Sequence, residues 1–278
     1  MWKAKSLAAA VAAVPVDECD VFLHFERGAR GGAYRAGAGC AAAQAQQEGG
    51  GLAWSLLTSI DRRSCRSAAP LIVNSEMVRA QMEEHYGIAS ERMHLVRNGV
   101  DTARFQPGLK AEEPTLVFVG DNPRRKGLQT ALKVLLRLPN ARLDVVGDVG
   151  RRGRRWADQL GVSSRVRFHG RVERPEAVVS MAHAMILPTR YDASANACLE
   201  ALACGVPVVT TRFNGVCELL PEPWLVVDEP TDADRCAEVL TVAMADNSLR
   251  DACRRVAEAH TRTHGYASLL AAISGDEA

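Results

Sequence analysis

The sequence predicts an α/β protein built on doubly wound parallel sheets, and three observations support that expectation. The first is a strand–helix–strand unit with short connections. Apolar Ala184 to Leu187 ends in a polar turn, a helix begins near Ser194 to Asn196, and Gly205-Val206-Pro207 breaks it before a second strand, Val208 to Thr211, that stops at Asn214-Gly215. The second is the alternation of strand and helix patterns from Thr115 to Thr261. The third is where the polar residues fall. Thr189, Asp192, Ser194, Asn196 and Glu200 follow one strand, and Asn214, Gly215 and Glu218 follow the next. Ligands of parallel sheets sit beyond these carboxyl ends, and N–H groups at Ala195, Asn196 and Ala197 would favour a phosphate there.

Taken in order, Met1 to Lys5 before Ser6 to Val14 looks superficially like a leader. The apolar run is short and Ala-dominated, so residues 3–14 are read as an amphipathic or buried helix. No stretch reaches the roughly 18–20 apolar residues that span a bilayer. Val21 to Phe25 is strand-like, and residues 41–66 are either helical with an interruption at Gly49-Gly50-Gly51 or partly disordered. Leu71 to Ser75 is a strand with a polar end, Glu76 to Tyr86 a helix, and Met93 to Val96 a strand closed by Arg97-Asn98-Gly99-Val100-Asp101.

Pro107 and Glu112-Glu113-Pro114 form a linker into the buried strand Thr115 to Gly120. A loop at Asp121 to Arg125 precedes a helix from Gly127 to Leu138, and Arg142 to Gly147 is the next strand. Trp156 to Leu160 is helical, Val166 to Phe168 a strand and Pro175 to Ala184 a helix. Beyond Thr211, Trp224 to Val227 is a strand, with helices near Asp232 to Asp246 and Ser248 to Thr261. The expected domains are residues 1–106, an N-terminal Rossmann-like domain, and 107–265, a second one, with 266–278 a tail or crossover helix.

Composition excludes some functions. With 278 residues and 47% hydrophobic content, the chain can bury one large or two ordinary cores. Its 34 basic and 33 acidic side chains create no global field for nucleic acid, and no basic–aromatic surface pattern compensates. Eight cysteines without a Cys-x-x-Cys pair lie mainly in apolar runs. They read as reduced core residues of a cytoplasmic protein, not as a disulfide framework or zinc site. The dense basic run Arg151-Arg152-Gly153-Arg154-Arg155-Trp156 reads as a solvated loop; the other reading is peripheral contact with anionic lipid or a phosphorylated acceptor at the inner membrane face.

The stretch from Ile186 to Glu218 resembles the nucleotide-sugar signature of family 4 retaining glycosyltransferases, which have the GT-B fold of two Rossmann-like domains. That signature is an acidic residue, seven others and Glu, then an Ala-rich helix and Gly-x-Pro-Val-Val; Asp192 and Glu200 hold its acidic positions here. Asp192 departs from the commoner Glu, though Tyr-Asp starts occur in the lipopolysaccharide-core branch. The resemblance implies that Glu200 accepts from the ribose hydroxyls, that Asp192 lies beside the sugar, and that Asn196 with nearby backbone amides cradles the diphosphate. Arg125-Lys126-Gly127, following the strand that ends at Gly120, resembles the family's pyrophosphate site, with Arg124 pointing away. Arg grips oxygens bidentately and Lys adds a mobile point charge. Backbone around Gly170, Arg171 and Val172 would hold the base, and His169 is read as a packed loop residue. Glu218 either faces the donor or begins a helix.

In the N-terminal half, Asp20 to Phe25, Tyr34-Arg35-Ala36-Gly37, Val73-Asn74-Ser75 and Arg97 to Asp101 resemble enzymes like the lipopolysaccharide-core glucosyltransferases. Gly32, Ala38 and Cys40-Ala41 stand where those members carry two carboxylates and a Cys-His pair, and no Gly-Gly loop precedes Asp20. The N-terminal domain is therefore expected to be truncated. The implied activity is metal-free, cofactor-free transfer of a hexose from a nucleoside-diphosphate sugar, a UDP-sugar, to a glycan or lipid-linked acceptor in lipopolysaccharide-type biosynthesis. Positioning and closure of two domains would supply much of the rate. Two alternatives stay open: a nucleotide-sugar-binding or scaffold protein without turnover, and a chain whose sheet edge demands a homo-oligomer or a complementing chain.

Overall fold

The structure, a computed structural model, describes residues 23–28 and 32–275. The helix expected over residues 3–14, and Asp20, lie outside them. The chain divides into two compact units. One comprises the described residues up to Asn98, the loop Asp192–Ser194 and the described residues from Thr263 onward; the other comprises Gly99–Tyr191 and Ala195–Arg262.

The first unit is a four-stranded, all-parallel sheet in the order β1 (Leu23–His24), β2 (Ala33–Arg35), β3 (Leu71–Val73), β4 (Met93–Leu95). Two helices, α1 (Ala41–Glu48) and α2 (Leu52–Ser67), fill the region between β2 and β3. Gly49, Gly50 and Gly51 all have positive φ (94°, 67° and 113°), so the glycine run is a left-handed break between two helices, the first of the two sequence-based alternatives. Helix α3 (Glu76–Tyr86) starts where the Ser75 hydroxyl accepts from the Val78 N–H and ends at left-handed Gly87.

The core of this unit includes a charge. Asp61 is fully buried on α2. It accepts from Arg27 Nε (3.0 Å), the Ala41 N–H (2.8 Å) and the hydroxyls of Tyr86 (2.7 Å) and Tyr34 (3.4 Å). Arg27 also donates to the Gly39 carbonyl at 2.9 Å. A buried carboxylate is tolerable when it is paired and its lone pairs are filled, and here they are. Burial, followed by the Asp61 charge, pushes both tyrosine hydroxyls far above the ordinary range, so they remain donors.

The second unit is a six-stranded, all-parallel sheet. Its strands are β5 (Thr115–Val119), β6 (Arg142–Val146), β7 (Val166–Gly170), β8 (Ala184–Leu187), β9 (Val208–Thr211) and β10 (Val226–Val227). Their order across the sheet is β10-β9-β8-β5-β6-β7. This is the doubly wound Rossmann order, with its switch point between the neighbours β5 and β8. Continuous apolar runs such as Leu116-Val117-Phe118 and Ala184 to Leu187 are fully buried, as strands covered on both faces require. The flanking helices are α4 (Leu128–Arg137), α5 (Gly150–Gln159), α6 (Pro175–Val179), α7 (Asn196–Ala203), α8 (Ala233–Ala245) and α9 (Ser248–Ala259). A last helix, α10 (Arg262–Ser274), follows Thr261.

Some expectations are corrected. The arginine run is not a loop but the body of α5: Gly153 is buried, and the Arg154 guanidinium lies 4.8 Å from the Phe168 ring centroid. The helix expected over Pro175 to Ala184 stops at Val179, because β8 begins at Ala184. Strand β10 is only two residues, preceded by a 3-10 turn at Pro223–Leu225. His169 is a strand residue whose Nε2 lies 2.7 Å from Asp144 Oδ1, not a loop residue. The seven described cysteines are free and all but Cys217 are buried. Among the described residues no helix is long and apolar enough to cross a membrane, and no His, Cys, Asp or Glu cluster could hold a metal.

Candidate functional site

Two loops meet at the switch point of the second unit. The loop after β5 carries Arg125 and Lys126; the loop after β8 runs from Pro188 to Tyr191 and, beyond Ser194, leads into α7. They are zipped together through Arg125. Its carbonyl accepts from the Arg190 N–H (2.8 Å) and the Thr189 hydroxyl (3.0 Å), and its guanidinium donates to the Tyr191 carbonyl at 3.0 Å. Thr189 has no exposed surface and also donates to Tyr191 O, while Thr211 on β9 donates to Thr189 O at 2.6 Å. Thr189 thus fixes the loop from behind instead of presenting a hydroxyl to a ligand.

Gly120 directly follows β5, and the Lys126 side chain crosses it: a Cβ there would stand 3.0 Å from Lys126 Cγ. Arg125 and Lys126 are half-buried and Arg124 is exposed, which separates the two expected diphosphate cations from their neighbour. Gly127 has φ +82° and heads α4.

Helix α7 begins at Asn196, which is exposed, with Ala195 as its cap residue. No side chain caps it. Instead buried Asn214, after β9, accepts from the Ala195 N–H (3.1 Å) and donates to the Thr210 hydroxyl (3.0 Å). The first-turn N–H groups at Asn196 and Ala197 keep the orientation that favours an anion. Glu200 sits one turn on, half-buried, and its carboxyl is raised above the ordinary range by burial, against the pull of Arg104 and Arg262.

On the other side of β5, Gly147 N donates to Gly170 O at 2.7 Å, joining the ends of β6 and β7. Gly170 has φ +68° with open space where a Cβ would stand. Arg171 turns outward and pairs with Asp121 at 2.9 Å, while Val172 packs against the core. Asp121 also accepts from the Asp148 N–H at 2.8 Å, and these two bonds hold its carboxyl below the usual range. Glu218 is exposed within a 3-10 helix, Gly215–Leu219, so it lies inside a short helix and does not begin one.

The structure therefore brings Gly120, Arg125, Lys126, Asn196 and Glu200 onto the carboxyl side of one sheet, with the Gly170–Val172 backbone at the end of β7. Asp192 groups with the first unit, where its Oδ1 accepts from the Ser194 N–H at 3.3 Å. In that unit Ala193 O accepts from the Ser75 hydroxyl (2.8 Å) and Ser194 O from the Asn98 side chain (3.0 Å). Sequence reasoning did not separate Thr189 and Asn214, which brace the site, from residues that face it. The signal was their position directly after short apolar strands, where a buried polar side chain can bridge two loops.

Two all-parallel α/β units, one of them doubly wound with a cationic loop beside a helix N-terminus at its switch point, define a protein of the GT-B class. The profile of the glycosyl transferases group 1 family matches residues 99–260, and that of glycosyltransferase family 4 matches residues 41–104. The chain belongs to the group 1 glycosyltransferase family.

Over 212 residues it is 27% identical to the lipopolysaccharide glucosyltransferase WaaG of Escherichia coli strain K12, covering 68% of this chain and 57% of that protein. The crystal structure of WaaG superposes with a TM-score of 0.77 at 24% identity, covering 94% of this chain and 80% of the other. Anabaena HepE in complex with UDP gives a TM-score of 0.76 at 15% identity, covering 98% and 77%. The chain spans about half the length of the curated relatives it matches.

Proposed function

We propose that this protein is a retaining hexosyltransferase that takes a nucleoside-diphosphate sugar, a UDP-sugar, as donor and transfers the hexose to a glycan or lipid-linked acceptor. The observation that carries this reading is the pairing of the Arg125-Lys126 loop after β5 with the N-terminus of α7 after β8, across the switch point of a Rossmann-ordered sheet. Family membership, the lipopolysaccharide glucosyltransferase activity named for WaaG and the UDP bound by HepE support it.

In the proposed site Lys126 and Arg125 neutralise the diphosphate, first-turn N–H groups near Asn196 cradle it, Glu200 accepts from the ribose hydroxyls, and backbone at Gly170 to Val172 holds the base. Asp192 is assigned to the sugar, and Glu218 remains a donor-side candidate. In transfer, the bond between the anomeric carbon and the diphosphate oxygen breaks as the acceptor oxygen bonds to that carbon on the same face. The acceptor proton passes to the departing diphosphate, whose developing charge the two cations and the helix N–H groups stabilise. No metal or cofactor is required.

A thermal-shift titration with UDP, GDP, ADP and UDP-hexoses, without metal, tests the donor assignment. A ligand at ~100 times its dissociation constant adds about 2.7 kcal/mol of stability. A nucleotide-selective shift is expected; no shift with any nucleotide in folded protein would refute it. The anomeric configuration of the product formed from UDP-glucose, read by NMR, tests retention.

A further inference from the structure

Near Glu200 in the second unit lies a group of charges that the sequence signature does not include. Residues 101–105 form a tight turn in which the Asp101 carboxylate accepts from the N–H groups of Ala103 (3.1 Å) and Arg104 (3.0 Å). Phe105, next along, is anchored in the core, and the Arg104 guanidinium lies 5.4 Å from its ring centroid. Arg104 is thus a long side chain on a rigid base.

Its guanidinium reaches the segment that follows the Gly170–Val172 loop. Nε and Nη2 both donate to one Glu176 carboxylate oxygen, at 3.0 and 2.9 Å, and Nη2 also donates to the Glu173 carbonyl at 2.8 Å. Glu176 is only 14% exposed and takes a further contact from Arg174 at 3.3 Å. Three donor contacts from one planar group define the position of residues 173–176 more tightly than a surface ion pair does.

We propose that Arg104 is a positioning residue of the donor site, which pins the Glu173–Glu176 turn below the base-side loop and sets the charge environment in which Glu200 meets the ribose. This rests on the donor reading of Glu200. The charged groups around Glu200 are Arg104 from the 101–105 turn, Arg262 at the start of α10 and Glu176 on α6; Arg254 of α9 donates to the Ala203 carbonyl at the end of α7, and the Cys204 thiol lies just past it. Burial favours the neutral carboxyl, which cannot accept from two hydroxyls with both oxygens, and the two arginines oppose it. Removing Arg104 takes away one of those cations and frees a second carboxylate, Glu176, to act on Glu200 with less compensation.

Two measurements test this. The titration of Glu200 is followed by 13C NMR of carboxyl-labelled, ligand-free protein in the wild type, Arg104→Ala and Arg104→Lys, with Glu200→Gln to assign the resonance. Its midpoint is expected to move upward in Arg104→Ala and to return most of the way in Arg104→Lys. UDP affinity is then measured for the same three proteins. Arg104→Ala is expected to bind about tenfold more weakly, and Arg104→Lys to recover most of it. An unmoved Glu200 midpoint in folded Arg104→Ala overturns the proposal. So does an affinity loss that lysine does not rescue. Absence of UDP binding by the wild type refutes the donor reading instead, and the ligand-free titration still decides whether Arg104 governs Glu200.

Discussion

Gly127 lies against Pro188 with no room for a side chain. A Cβ would stand 2.8 Å from the Pro188 carbonyl carbon and 2.9 Å from its Cγ, and the backbone there has φ +82°. The two loops that bear the candidate diphosphate site approach each other only because this residue has no Cβ. Gly127→Ala combines left-handed strain with a backbone clash, so a loss of about 2–4 kcal/mol is expected in urea unfolding. A change under about 0.5 kcal/mol would mean that the loops part without cost.

Asp61 makes a different prediction, confined to the first unit. Its carboxylate is the common acceptor for Arg27, Tyr34, Tyr86 and the Ala41 N–H. Asp61→Ala leaves the Arg27 charge and two buried hydroxyls without this partner, and a cost of about 3–5 kcal/mol is expected. Hydrogen exchange should show the loss in α1, α2 and α3 before it appears in the six-stranded sheet.

The raised Glu200 carboxyl gives a pH dependence with a definite sign. Folded protein binds this proton more readily than unfolded protein does, so the contribution to ligand-free stability falls as pH rises from the ordinary value of 4.5 through the folded value, and is flat beyond. Glu200→Gln removes the buried charge. It should stabilise the ligand-free protein at pH 7, a gain that fades below pH 4.5. UDP binding should weaken at the same time. Weaker binding together with lower stability would instead mark Glu200 as a structural acceptor.

Much of this architecture was legible in the sequence because short apolar runs bounded by Gly, Pro and Asn define buried parallel strands almost without ambiguity. Thr115–Val119, Ala184–Leu187 and Val208–Thr211 are such runs. The arginine run was misjudged because four charges hide a helix whose inner face is carried by Gly153, Ala157 and half-buried Trp156. Helix α6 was overextended because Ser180 to His183 continues its composition while the chain turns toward β8. The Asp61 network could not be foreseen: its members are spread from residue 27 to residue 86, and only the fold assembles them.

The claim that Arg125, Lys126 and the α7 N-terminus form a diphosphate site is tested most directly by calorimetric titration of UDP into the wild type, Lys126→Ala and Arg124→Ala. Lys126 crosses Gly120 at the end of β5, whereas Arg124 is exposed on the same loop, so the two variants remove equal charge from different places. The account predicts at least tenfold weaker binding for Lys126→Ala and an unchanged affinity for Arg124→Ala. Equal affinities in all three proteins, or an equal loss in both variants, would contradict it.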